Sequence, residues 1–466
     1  MDRLIVGSSP AMTPASDGSN GSNGSNGSAP GGRRRPRVVI VGSGFGGFFA
    51  ARRLGRTTAD VTILSDVDGL LYAPFLPEVA VGTIDPRAAV VPLAGRLEGT
   101  RIVRGRATSV DLEQRVVSYD GGEGTPGRLS YDRLLLAPGS VTRLLDIPGL
   151  AQHAIGLKTV AQALYLRDHV LGQIEAASVL TDPARRRAAL TFVVAGAGYA
   201  GTELTAQMAR LTENLLPLYP SLRPGDVRWL LVDVAKAVMP ELGESLGQSA
   251  LSLLRRRRVD VRLGVSIREV TDSRVTLTDD SVLDCATVIW CAGVTANPLI
   301  GGLGLPTEKG RLVVDATLRV PGHPEVYAIG DAAAVPDLTA QPGSDGGRAL
   351  CPPTAQHAMR QASAAARNIV ADLSGGTPRP YRHHDLGLVV DLGGPDAAAR
   401  PFGVSLRGRL AKVVTRGYHL YALPTAERRL RVSVDWALAG GRPDDVSLGV
   451  LPEQAGLVTQ AEHGAD

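Results

Sequence analysis

The chain has 466 residues, 44% of them hydrophobic and 21% charged, with a formal charge of +4 and only three Cys. That length suits two or three domains with ample core, and so few cysteines exclude a disulfide-rich secreted scaffold. No apolar run approaches the roughly 18–20 residues of a spanning helix, the apolar start is too short for a secretory signal, and cytosolic or membrane-surface life remains.

All but four of the 50 basic residues are Arg; the exceptions are Lys158, Lys236, Lys309 and Lys412. The Arg are spread along the chain, which argues for codon usage rather than a nucleic-acid surface. Residues 1–36 read as a disordered tether: from 11 to 36, Gly-Ser-Asn repeats leave no apolar surface to offset the entropy of ordering. The triplet Arg33-Arg34-Arg35 precedes a β-branched strand rather than a helical apolar stretch, which argues against an export signal. Val38-Val39-Ile40-Val41 has the continuous apolar character of a buried parallel strand. A glycine turn, a helix from Phe48 to Arg56 and a strand Val61–Leu64 complete one βαβ unit. The pattern recurs at Leu190–Ala195, with a helix from Gly201 to about Tyr219 and a strand Trp229–Val232.

Gly42-Ser43-Gly44-Phe45-Gly46-Gly47 fits G-x-G-x-x-G between strand and helix. The first Gly permits the tight turn, the second lets the backbone approach a pyrophosphate, and the third allows close helix–strand packing. The helix N-terminus then faces the phosphates. The acid expected about 20 residues on is replaced by Ser65, with Asp66 one position later. Ser65 offers single hydrogen bonds to a ribose, not the two-oxygen acceptance of a carboxylate; either residue takes the role.

Gly196-Ala197-Gly198-Tyr199-Ala200-Gly201 repeats the fingerprint, and Asp233 ends the strand that follows. A carboxylate there accepts from the ribose hydroxyls and repels a 2′-phosphate, favouring NADH over NADPH. Glu203 falls in the expected first helical turn, either as a carboxylate favoured by the helix dipole or as a group handling protons near nicotinamide and flavin. Pro324–Ala333 reads as a strand running into Gly330-Asp331 and then an Ala-rich helix. A carboxylate at such a strand end can accept from a ribityl hydroxyl. Two nucleotide units with this return segment point to hydride transfer between a nicotinamide and a flavin.

From Arg37 to about Leu438 the chain resembles the two-dinucleotide-binding-domain flavoproteins, and within them the type II (alternative) NADH:quinone oxidoreductases. The resemblance is carried by Tyr72-Ala73-Pro74-Phe75-Leu76-Pro77, Val81-Gly82-Thr83, Tyr131 to Ser140, Leu157-Lys158-Thr159, Trp290 to Val294, Val314 to Asp331, and Pro352 to Gln361. In Ala137-Pro138-Gly139, Pro138 replaces the family's Thr. Ala355-Gln356 resembles the start of the quinone-side helix, where Arg360 replaces a second Gln and Gln361 is adjacent. The resemblance implies FAD and NADH as cofactors and a quinone acceptor, menaquinone or ubiquinone. It places Gln356 and Arg360 at the quinone, with Ala355, Pro138, Gly139 and Asp331 beside the flavin. It also implies a peripheral protein on the cytoplasmic face of the cell membrane, in a respiratory chain, with a homodimer among the expected assemblies.

Flavin disulfide reductases and sulfide:quinone reductases need a cysteine pair, and residues 1–284 contain none. Cys285 and Cys291 flank a buried strand and read as small hydrophobes; Cys351 precedes the quinone-like helix. No metal-ligand spacing appears, and His383-His384 reads as a solvated pair. From Leu406 to Leu423 a helical wheel groups Leu406, Leu410, Val413, Val414, Gly417, Leu420 and Tyr421 within roughly 120°, beside Arg409, Lys412 and Arg416. That is the pattern of a helix in a bilayer interface, or of one packed on its own domain. Arg428–Leu438 alternates as well as it spirals.

The expected fold is α/β: two doubly wound Rossmann-like domains, with the NADH domain inserted in a split FAD domain, plus a C-terminal membrane-facing module. The boundaries are 37–157 and 296–383 for the FAD domain, 158–295 for the NADH domain and 384–466 for the module. Three functions follow from it: a non-pumping NADH dehydrogenase reducing quinone, with Glu203 as proton relay; a reductase of a ferredoxin-like or other soluble acceptor; and a redox-sensing flavoprotein that binds a partner with turnover lost.

Overall fold

In the computed structural model the described residues are 34–340 and 348–440. The expected tether up to residue 33 and the tail after 440 lie outside them. The elements below belong to one unit that starts at Pro36.

Arg37–Val41 buries four consecutive side chains, as a central parallel strand covered on both faces does. Asp60–Ser65 and Arg133–Leu136 flank it, both parallel. The full sheet has eight strands, ordered Arg319–Val320, His323–Ala328, Arg133–Leu136, Arg37–Val41, Asp60–Ser65, Thr100–Asp111, Val116–Gly121 and Pro126–Ser130. The last three form an antiparallel meander. His323–Ala328 rejoins Arg133–Leu136 in parallel after nearly two hundred intervening residues, so the first unit is split in sequence. Within that interval lies a second, all-parallel sheet: Ala154–Gly156, Thr287–Trp290, Thr191–Ala195, Arg228–Asp233 and Asp260–Leu263. Ala154–Gly156 lies before the expected boundary at 157/158, yet it pairs with Thr287–Trp290. Three residues carry too little periodicity to show which sheet they join.

Both glycine-loop helices start earlier than their sequences imply. The first is Phe45–Leu54, because Gly44 is the extended N-cap and Gly46 and Gly47 lie in its first turn. The second is Tyr199–Leu215, capped by Gly198; Pro217 then tightens the chain into the single turn Leu216–Leu218. Glu203 therefore sits in the second turn, not the first. The Ala-rich helix expected after Asp331 does not form: one turn, Gly330–Ala332, leads into the short strand Ala333–Ala334. The helix Ala355–Leu373 instead packs against Phe45–Leu54.

The C-terminal module is a three-stranded antiparallel sheet, Val389–Asp391, Ala397–Ala399 and Leu406–Arg407, followed by helices Gly408–Ala422 and Ala426–Ala439. Leu406 is thus in a strand, and the ambiguous segment after Arg428 is helical. The first helix rests its small residue Ala411 on Ala397 and Ala399. His419 and Trp436 reach the aromatic group Phe45, Tyr72 and Phe75, with ring centroids 4.7–5.9 Å apart, and the Tyr72 hydroxyl lies 3.0 Å from His419 Nδ1. These contacts fix the module to the first unit.

Candidate active site

The two glycine turns are built alike. Gly42 and Gly196 adopt φ of +97° and +110°, a region closed to most L-residues. A Cβ on Gly47 would lie 1.8 Å from the Gly42 carbonyl oxygen, and one on Gly201 would lie 1.9 Å from that of Gly196. These positions need glycine for packing. A Cβ on Gly44 or Gly198 would meet nothing within 4 Å, so space is left open there. Neither helix has a side-chain cap, which leaves first-turn N–H groups to face that space. Each loop thus fits a pyrophosphate cradle.

The strand ends hold their loops differently. Ser65 is buried, and its Oγ lies 2.8 Å from Ser43 Oγ. Asp66 turns to solvent, 3.7 Å from Arg106 Nε. At the matching place Asp233 accepts from Ala197 N at 2.5 Å and from Ala235 N at 2.7 Å.

Between the units lies a cavity of about 540 Å³. Its wall includes Phe45 and Tyr199, the first residues of the two helices, together with Lys158, Glu203, Ala355 and Gln356. The Tyr199 hydroxyl is buried without a hydrogen-bond partner among the described residues, a sign that a ligand completes this surface. Lys158 Nζ donates to Ser140 Oγ at 2.9 Å, and Ser140 donates to Asp331 at 2.6 Å. Burial lowers the Lys158 pKa, and Asp331 opposes the shift.

Gln356 Nε2 donates to the Gly387 carbonyl at 2.9 Å, so one N–H already serves the backbone. Gln361 is buried, and its amide oxygen accepts from Gly330 N at 2.7 Å, holding the turn that carries Asp331. Arg360 is not on the cavity wall, contrary to its expected place at the acceptor. Its guanidinium reaches the His383 ring at 3.3 Å. Of the expected solvated pair, His384 is exposed, while His383 is half-buried and stacks on His357 with centroids 3.8 Å apart. The stacked pair offers the Arg360 guanidinium a flat surface to lie against.

Glu203 accepts from the Asp391 N–H at 2.8 Å. Behind it Lys412 Nζ lies 2.5 Å from Asp391 Oδ1, both residues buried. Lys412 therefore faces inward, not along the basic flank read from the wheel, because an unpaired Asp391 would be costly at that depth. Glu78 accepts from Trp436 Nε1 at 2.8 Å. Burial first, then the charge of Asp391, pushes the Glu78 carboxyl up to about 8. Burial holds Glu203 well above the carboxylate range; the Asp391 N–H opposes this, and the charges of Asp391 and Glu78 add to it. Burial lowers His419, also on the wall, to about 4.

Lys158, Lys412, Asp391 and Glu78 escaped the reading of site residues. A signal existed: in a chain that otherwise uses Arg, two of the four Lys stand here. A compact ammonium fits a buried single carboxylate or hydroxyl where a planar guanidinium does not.

The three cysteines are free, and burial raises each thiol to about 12. No group of ligands suited to a metal occurs among the described residues.

Two dinucleotide cradles opening on one cavity define the class. A model of the pyridine nucleotide-disulphide oxidoreductases matches residues 36–364. The chain is 32% identical over 434 residues to the type II NADH:quinone oxidoreductase NdhA of Mycobacterium tuberculosis, covering 88% of both chains. It is 30% identical over 418 residues to the demethylphylloquinone reductase NdbB of Synechocystis, covering 86% of this chain and 96% of that one. Its fold matches the structure of NDH2 from Plasmodium falciparum in complex with NADH, with a TM-score of 0.81 at 18% identity, over 89% of this chain and all of that one. The chain belongs to the pyridine nucleotide-disulphide oxidoreductases and, within them, to the type II NADH:quinone oxidoreductases.

Proposed function

We propose that the protein is a FAD-dependent NADH dehydrogenase that delivers two electrons to a membrane quinone without pumping protons. The observation that carries this reading is the single cavity touched by the first residues of both glycine-loop helices and walled by Glu203 and Gln356. FAD, when bound, supplies a carrier that takes a hydride and releases its electrons in a separate step.

The first loop, Gly42 to Gly47 with Phe45 at the helix start, holds the flavin nucleotide; Ser65 rather than exposed Asp66 is the residue beside its ribose. Pro138, Gly139 and the Lys158–Ser140–Asp331 chain orient the flavin side of the cavity. The second loop, Gly196 to Gly201 with Tyr199, holds NADH, and Asp233 repels a 2′-phosphate. Glu203 stays protonated above the usual carboxylate range, so it can give a proton at neutral pH where quinol forms. Gln356, on the wall beside Tyr418, can turn its amide to the acceptor's carbonyl as charge builds on it.

The C-terminal module reads as a peripheral anchor on the cytoplasmic face of the cell membrane. Leu410, Val413 and Tyr421 are 71–75% exposed. Leu430, Val434 and Leu438, on the neighbouring helix, are 44–67% exposed. Among the described residues no helix is long and apolar enough to cross a membrane, and a helix with one such face lies in the interface.

The test follows flavin absorbance. NADH should bleach the purified yellow protein, and a soluble menaquinone or ubiquinone analogue should restore the colour. Gln356→Ala should leave bleaching intact and slow the recovery. A protein that NADH fails to bleach would overturn the reading.

A further inference from the structure

A second cavity, of about 220 Å³, lies where the end of the helix Phe45–Leu54 meets the start of the helix Ala426–Ala439. Arg52, Arg56 and Arg96 line it, with one carboxylate, Glu98. Arg52 donates one N–H to the Pro424 carbonyl at 3.3 Å. Arg96 pairs with Glu427 at 2.7 Å. The Arg56 guanidinium makes no hydrogen bond or ion pair among the described residues. Three guanidiniums thus line a recess with one carboxylate, Glu98, while Glu427, outside the lining, is shared by Arg96, Arg428 and Arg431. Basic residues at a helix C-terminus complement its dipole, and Arg52 and Arg53 both stand in that last turn; Arg56 and Arg96 lie beyond it and are exposed. Guanidiniums that line one recess favour an anion there, and their planar forks match phosphate oxygens.

The cavity also heads an apolar stripe. Ala426 lines it, and Leu430, Val434 and Leu438 follow at intervals of four, on one helical face. All three are exposed. A small polar recess with surplus positive charge, continuous with an exposed apolar track, is complementary to an amphiphile with a phosphate head. We infer that this cavity binds the phosphate headgroup of an anionic phospholipid, with the acyl chains lying along Leu430, Val434 and Leu438. The inference rests on the membrane reading above and adds a headgroup specificity to it.

The test is vesicle co-sedimentation of the flavin-loaded full chain, with phosphatidylcholine alone and with added phosphatidylglycerol. Wild type should bind both and prefer the anionic vesicles. Arg52→Ala with Arg56→Ala should keep the phosphatidylcholine binding and NADH-driven bleaching of wild type. It should lose roughly tenfold more of the anionic preference than the control Arg53→Ala with Arg409→Ala, the worth of about one charge-assisted bond. The control removes equal charge from exposed positions, so equal losses in the two variants would overturn the site and leave only surface attraction. Membrane binding with no anionic preference would overturn it while sparing the membrane reading; binding to neither vesicle would overturn both. A thermal shift with inorganic phosphate, abolished in the cavity variant but unaccompanied by vesicle preference, would assign the site to free phosphate and overturn the lipid.

Discussion

The two glycine turns share a backbone and differ in what ties it down. Gly42 N donates to the Leu64 carbonyl and Gly196 N to that of Val232, both at 2.8 Å, so the loops sit in the same register against the strands that follow. In the first unit a neutral hydroxyl pair, Ser43 and Ser65, fastens the loop. In the second a carboxylate, Asp233, holds the loop by its main chain. Further along, the first helix continues with Phe48 and Phe49 where the second has Thr202 and Glu203. The first helix therefore offers aromatic rings where the second offers a hydroxyl and a buried carboxyl.

The largest effects should come from the glycines whose Cβ has no room. Gly47→Ala and Gly201→Ala each press a methyl into a carbonyl oxygen, an overpacking that costs about 3 kcal/mol or more. Gly47→Ala should yield little soluble yellow protein; Gly201→Ala should lower the urea midpoint and end NADH-dependent bleaching.

Gly44→Val and Gly198→Val separate folding from binding. Their side chains enter open space, so melting temperature without cofactor should hold. Gly44→Val should purify without flavin, while Gly198→Val should stay yellow yet resist bleaching by NADH. Flavin loss from Gly198→Val would mean the two cradles do not act separately.

Glu203→Gln tests the buried carboxyl that stands where the first helix has Phe49. Flavin recovery by quinone should fall about a hundredfold, a typical worth of general acid catalysis. The sign with pH follows from the raised pKa: wild-type recovery should be fast while Glu203 is protonated and slow as pH rises through that pKa. The variant should lose this dependence.

Asp233→Arg should weaken NADH and improve NADPH. Losing a charged acceptor at a ribose costs about 1.5–3 kcal/mol, or roughly ten- to 150-fold in the NADH KM. An unchanged KM would detach the second unit from NADH. The smallest effect belongs to Ser65→Ala, which removes one neutral hydrogen bond worth about 1 kcal/mol. Flavin should be retained with a slightly lower melting temperature.

The two cradles were legible in the sequence because their demands are local. A positive φ at Gly42 and Gly196, and a carbonyl within 2 Å of any Cβ at Gly47 and Gly201, restrict residue type at fixed spacing whatever surrounds them. The helical wheel over 406–423 likewise separated two faces, but a wheel has no inside. Lys412 turned inward because Asp391, twenty-one residues earlier, is buried there and needs a cation; Leu410 and Val413 turned outward as a consequence. Arg360 reaches His383, which stacks on His357, and Gln361 took the turn at Gly330. Asp66 lost its place beside the loop to Ser65 because the last strand position points inward and the next one points out. Sequence by itself determined where backbone must bend and approach backbone. Tertiary structure alone decided which charges are buried and with whom, because desolvation is fixed by neighbours that lie tens or hundreds of residues away.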